Sequence, residues 1–197
     1  DSQSGDPRLE GFSFGHIDGD EFPDRVEIFG NRLEIVPGSS CRLSGASGNS
    51  ATNGRAGGVE KVILRRERWG SERVPVSASI VDLDGDGQDD IMVHFDDKGG
   101  NRFYRNDMRR GKLEELSGID GILEYKGEKF YGTAEADMDG DGDIDLFMIN
   151  HIDNRERSGG VRLIRNEGRS GWTEWTEGSG VLMKHAFGGT FSDFDGD

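Results

Sequence analysis

The chain of 197 residues carries 39 acidic and 24 basic side chains, a net charge of −15, with 32 glycines and only 32 % hydrophobic residues. No basic patch outweighs this acidic field, which argues against a nucleic-acid partner, the single Cys41 excludes a disulfide within the chain, and no apolar run is long enough for a membrane-spanning helix. Low hydrophobicity with high charge is also a mark of disorder, yet 11 Phe, alternating strand patterns and regular turn chemistry point to a folded, turn-rich β protein stapled by cations.

Taken in order, the chain opens on His16-Ile-Asp18-Gly-Asp20-Glu-Phe-Pro-Asp24, an acidic turn leading into the apolar run Arg25 to Phe29. A strand is expected at Arg32 to Val36, followed by a Gly/Ser-rich insertion over residues 37–58 and a further strand from Val59 to Arg65. The insertion reads as a surface excursion. Cys41 within it has no evident catalytic partner and is expected to be an accessible thiol or an interchain link, and Asn53-Gly-Arg55 is too short to count as an adhesion signal. A second turn, Asp82-Leu-Asp-Gly-Asp-Gly-Gln-Asp-Asp90, runs into Ile91 to Phe95. Strands are expected next at Asn101 to Asn106 and Gly111 to Leu116. The order then recurs: Tyr131 to Ala136, the turn Asp137-Met-Asp-Gly-Asp-Gly-Asp-Ile-Asp145, the strand Asp145 to Asn150, Val161 to Asn166, and Gly171 to Thr176. Phe187-Gly-Gly-Thr-Phe-Ser aligns with Tyr131 to Ala136 and leads into Asp193-Phe-Asp-Gly-Asp197, the first half of another copy.

The turns start at residues 16, 82, 137 and 193, so the chain divides into repeats of approximately 8–75, 76–130, 131–186 and an incomplete 187–197. Each full repeat reads as four short strands. With no helical periodicity, this predicts an all-β design of radially repeated sheets, in which small residues such as those of Tyr131 to Ala136 let a strand pass close to its neighbours near the centre.

Carboxylates at alternate positions repel one another unless a cation sits among them. Hard oxygens on a flexible glycine-bearing turn suit Ca²⁺, which accepts six to eight such ligands in a loose geometry. Fifteen Asp stand in ligand-like positions of the four turns, so the acidity itself reads as functional. An EF-hand is excluded, because position 12 is Val93 or Met148 inside a strand rather than a bidentate Glu. Thrombospondin-type calcium repeats are cysteine-rich, unlike this chain.

The pattern Asp-x-Asp-x-Asp-Gly-x-x-Asp followed by an apolar strand, with Phe187-Gly-Gly-Thr190 upstream of its last copy, resembles the FG-GAP/VCBS repeats of integrin α-subunit-type β-propellers. The Arg105-Asn106 and Arg165-Asn166 strand ends, with the Gly-x-Leu/Trp-x-Glu segments after them, resemble the cartilage acidic protein/UnbV branch in particular. The resemblance covers nearly the whole chain. It implies four-stranded antiparallel propeller blades, here about three and a half repeats of a propeller of about seven blades. It also implies calcium held by side chains at positions 1, 3, 5 and 9 and a backbone carbonyl at position 7. One ion then takes Asp82, Asp84, Asp86, Gln88 (carbonyl) and Asp90; a second takes Asp137, Asp139, Asp141, Asp143 (carbonyl) and Asp145. Up to two further sites would use Asp18, Asp20 and Asp24, where His16 is a poor first ligand and Glu21 replaces a glycine, and Asp193, Asp195 and Asp197.

On function, the expectation is a secreted or cell-surface (or periplasmic) module that binds an extracellular protein or glycan, with structural calcium. Sites of this exposed type bind with dissociation constants of roughly 10⁻⁴ to 10⁻³ M, too weakly for cytosolic calcium. Trp69, Trp172 and Trp175 are candidates for glycan contact or, as readily, for packing between blades. A chain that starts at Asp1 without Met suggests a processed or excised polypeptide; alternatively, neighbouring subunits complete the unfinished repeat and build a filament. An enzyme, or the propeller part of a polysaccharide-active one, is the third reading. It finds no nucleophile elbow, metalloprotease motif or phosphate loop, and His94, His151 and His185 have no mutual spacing that demands a site. Catalysis is therefore not expected.

Overall fold

The computed structural model describes residues 9–38, 65–68, 75–95, 100–107, 112–116, 130–150, 160–181, 183, 186 and 188–193. Among them, twelve strands make three four-stranded antiparallel sheets, each a simple meander. The first sheet holds β1 (Leu9–Gly15), β2 (Asp24–Phe29), β3 (Arg32–Val36) and β4 (Arg65–Arg68). The second holds β5 (Pro75–Val81), β6 (Asp90–Phe95), β7 (Arg102–Asp107) and β8 (Lys112–Leu116), and the third β9 (Phe130–Ala136), β10 (Asp145–Asn150), β11 (Arg162–Asn166) and β12 (Trp172–Glu174). In every sheet an Asp-rich turn joins the first strand to the second, so that the strand register closes on the turn: Gly15 opposite Asp24, Val81 opposite Asp90, Ala136 opposite Asp145.

The sheets stand as propeller blades, with their first strands side by side: β1 lies against β5 and β5 against β9. Small residues permit this approach where it is tightest. A Cβ on Gly15 would sit 2.2 Å from Ile80 Cγ2, an overlap no side chain could accommodate, whereas Gly132 of β9 has only an ordinary 3.8 Å neighbour in Ser77 Oγ.

The core lies between blades. β6 and β10 are buried at all six positions, which is why Ile91 to Phe95 and Leu146 to Ile149 read as near-continuous apolar runs rather than alternations. Their alternate side chains serve opposite seams. Ile91, Val93 and Phe95 pack with Val26, Leu33 and Ile35 of the first blade, whereas Met92 and Phe103 pack with Leu146, Met148 and Ile164 of the third. Phe147 and Ile149 turn to the third blade's outer face, with Leu163, Val161 and Ala186.

The strand described as pairing with β3 is Arg65–Arg68, which meets the expected Val59 to Arg65 at its last residue; residues 59–64 lie outside the described residues. Two expectations are corrected here. The last strand of the third blade stops at Glu174 instead of continuing to Thr176. The Trp175 amide still donates to Leu163 O (2.8 Å), but the Leu163 amide is taken by the Thr176 hydroxyl (3.0 Å), so a side chain replaces the ladder and a single helical turn, α1 (Thr176–Ser179), follows. Residues 188–193 adopt no strand, although they align with β9.

Candidate metal centre

Two of the turns gather carboxylates. Oxygens of Asp82, Asp84 and Asp86 in one, and of Asp137, Asp139 and Asp145 in the other, lie within 4.8 Å of each other. The local backbone explains the gathering. Asp82 Oδ1 accepts from the amides of Gly85 (2.9 Å) and Asp86 (3.2 Å) while its Oδ2 accepts from Gly87 (2.8 Å), so the turn wraps around its first carboxylate. Asp137 does the same with Gly140, Asp141 and Gly142. This winding needs left-handed residues at positions 4 and 6, where Gly85, Gly87, Gly140 and Gly142 have φ between 71° and 96°.

Partial burial raises the Asp84 pKa, and the neighbouring charges of Asp86 and Asp82 raise it further. The donor set consists of hard, like-charged carboxylate oxygens on an exposed turn, and it could hold a metal ion, whose charge would reverse that upward pressure.

Not all the sequence-predicted ligands converge. Asp141 lies outside the third-blade cluster, and its Oδ1 accepts from the Asp143 amide (2.9 Å). Gln88 turns its side-chain amide onto Asp86 Oδ2 (3.0 Å). Asp90 is fully buried and spends both oxygens on backbone amides, Oδ2 on Leu83 (3.0 Å) and Oδ1 on Asn106 (2.8 Å), and burial pushes its pKa up to about 7. The two homologous residues have the same habit: Asp24 accepts from Ile17, Asp18 and Gly38, and Asp145 from Met138 and Asn166. The ninth position thus staples the turn to the third strand, or in the first blade to Gly38 just beyond it; in the third blade Asp145 also stays within reach of the cluster. In the first turn Asp20 binds Phe22 N, Asp18 binds Asp20 N, and His16 Nδ1 lies 3.3 Å from Asp20 O. Its carboxylates are not among the two groups found in the described residues. The Asp193 backbone is described, and Asp195 and Asp197 lie outside the described residues.

Two functional positions carry signals that are readable only in retrospect. The second residue of each turn (Ile17, Leu83, Met138) is apolar amid carboxylates, and it plugs the seam to the next blade or the outer cluster. The Asn that ends each third strand ties the seam: Asn106 Nδ2 donates to Ile17 O (2.7 Å) and to Asp89 O (2.9 Å), and Asn166 Nδ2 to Leu83 O (3.3 Å). Asp89 of the second turn adds a bond, its Oδ2 accepting from the His16 amide (2.7 Å).

Of His94, His151 and His185, only His94 is among the described residues. It is fully buried, its Nε2 3.2 Å from Ser79 Oγ, which is 2.5 Å from Thr133 Oγ1, which in turn contacts Glu135. Burial pushes the imidazole pKa down to about 4, so it is a neutral packing residue at the second seam. Trp172 packs partly against that seam, Trp175 is exposed near Arg165, and Trp69, Cys41 and Asn53 to Arg55 lie outside the described residues. Among the described residues no helix is long and apolar enough to cross a membrane.

With this geometry in hand, comparison with known families gives one result: the model of the FG-GAP-like repeat matches residues 82–148 and again residues 137–197, together more than half of the chain. The match is to the repeat and not to a branch of it. No curated protein matches the chain.

Proposed function

We propose the following role for this chain, which belongs to the FG-GAP-like repeat family: a calcium-stabilised set of propeller blades that serves outside the cell as a ligand-binding or adhesion module for a protein or glycan. The observation that carries the calcium reading is the pair of carboxylate clusters, each wound around its first Asp by three backbone amides. Calcium here is structural. It would neutralise charge that the folded turns concentrate, and, bound only by the folded state, it stabilises by mass action. No reaction is assigned to it.

The test is calcium titration by calorimetry, paired with thermal melting in calcium and in chelator. Uptake at two sites, with a higher melting temperature in calcium, is the expected result, and D82N and D137N should each remove one site. A flat titration with unchanged melting would sink the calcium reading.

A second reading, a subunit of an extracellular assembly, is favoured by the faces at the two ends of the described blades. Phe12 and Phe14 of β1 are 61 % and 58 % exposed. At the other end a cleft of about 1050 Å³ runs along the third blade, lined by Met138, Phe147, Trp175, Met183 and Phe191. Size-exclusion chromatography of the chain separates the readings: concentration-dependent polymers favour assembly, and a monomer at all concentrations removes it.

A further inference from the structure

The two carboxylate clusters sit at matching places in their blades, and one difference between their surroundings is a cross-strand pair. The third strand of each blade carries an Arg next to its terminal Asn, Arg105 in β7 and Arg165 in β11. Residues directly opposite across a ladder share a face of the sheet. Opposite Arg105 stands Glu114, and opposite Arg165 stands Thr173. The neighbouring ion pair is the same in both blades, Arg102 with Glu115 and Arg162 with Glu174 at 2.6 Å. Its effect is visible in where the guanidinium goes. Arg105 is held on Glu114 (2.8 Å) and acts on Asp84 of its own turn only through its charge. Arg165, with no carboxylate across the ladder, reaches back to Asp139 Oδ2, a member of the metal cluster, with Glu167 at 3.6 Å from its Nε and the Trp175 ring 5.8 Å below its Cζ.

We propose that Arg165 is a resident counter-cation of the Asp137 turn, set free by Thr173 to compete with calcium for Asp139, and that it makes this turn the weaker of the two sites. The inference rests on the calcium reading of the clusters. A metal entering this turn must break or share an ion pair that the Asp82 turn does not have. Glu167 and the Trp175 face offer the displaced guanidinium a place to rest, so calcium entry should also alter Trp175 emission.

The test is calcium titration in the D82N background, where the Asp137 turn is read alone, by calorimetry and by tryptophan emission with W175F as the control. Releasing one exposed ion pair changes affinity by up to about fivefold. R165Q and T173E should each tighten the site by up to about fivefold, and T173E should add nothing once R165Q is present, the signature of one shared interaction. The converse change, E114T in a D137N background, should weaken the Asp82 turn. Unchanged or weaker binding in R165Q would overturn the counter-cation and leave the calcium reading standing. Absence of any calcium uptake by the unmutated chain would overturn both.

Discussion

Asn106 is the residue on which the first seam should depend most, and truncating it offers a quantitative test of the architecture. The side chain is fully buried, and its amide serves two backbone carbonyls on different elements: Ile17 O in the turn of the preceding blade and Asp89 O in the turn of its own. In N106A both acceptors lose a donor in a place that water does not reach. A hydrogen bond contributes about 1 kcal/mol net, and a buried group left unpaired costs about 1–3 kcal/mol, so the loss should be about 2–4 kcal/mol. Asn166 is nearly as deep, yet it makes the corresponding bond only at 3.3 Å and spends its Oδ1 on the local Gly168 amide. The loss in N166A should be smaller by about 1 kcal/mol or more on the same reasoning. Urea unfolding of both variants at fixed calcium reads the difference directly as a shift in midpoint at constant slope. Equal losses, or an N106A variant within about 0.5 kcal/mol of the parent, would refute the view that this amide fastens one blade to the next.

Three further outcomes follow from the same geometry. His94 stays neutral in the fold down to a pKa of about 4, whereas in the unfolded chain it titrates near 6.5; the unfolded state therefore binds the extra proton first, and stability should fall by about 3 kcal/mol as pH drops from 6.5 towards 4, a loss that H94Q should flatten in pH-dependent melting. Asp90 has the opposite sign: its folded pKa of about 7 lies above the unfolded value, so its contribution is present below pH 4 and lost as pH rises through 7, and an NMR titration of its carboxyl carbon in metal-free buffer should give a midpoint near neutrality that shifts down in calcium. Gly140 sits at φ 77° with nothing within 4 Å of where a Cβ would go, so G140A pays for conformation alone, about 1–2 kcal/mol in melting experiments.

How much of this was legible in the sequence depended on which physical rule wrote the residue. The turns and the strands after them announced themselves because the carboxylate spacing and the left-handed glycines have no cheaper explanation, and the all-β blades followed from the repetition. The apolar second residue of each turn looked like a spacer, since its partner is in the next blade some 60–90 residues away, as with Ile17 and Asn106. Asn106 and Asn166 were visible as a matching pair, but not what they bind. The ninth Asp was assigned to the metal because carboxylates in such a turn invite that reading; Asp145 does stand in its cluster, and the backbone amides that hold the oxygens of Asp90 and Asp145 were not readable from the sequence. Thr173 against Glu114 was invisible until the register aligned them. The helical turn at Thr176 arises from one hydroxyl replacing a ladder bond, which no periodicity encodes.

The seam built by Ile17 and Asn106 has a consequence for how the chain unfolds. A blade by itself leaves both faces of its second strand bare, and its turn lacks the amide that closes it. The cooperative unit expected from this packing is a pair of half-blades straddling a boundary, offset by half a period from the repeat seen in the sequence. Partial opening, read by native-state hydrogen exchange, should release strands from neighbouring blades together, such as β2 with β6, before it releases the four strands of any one blade.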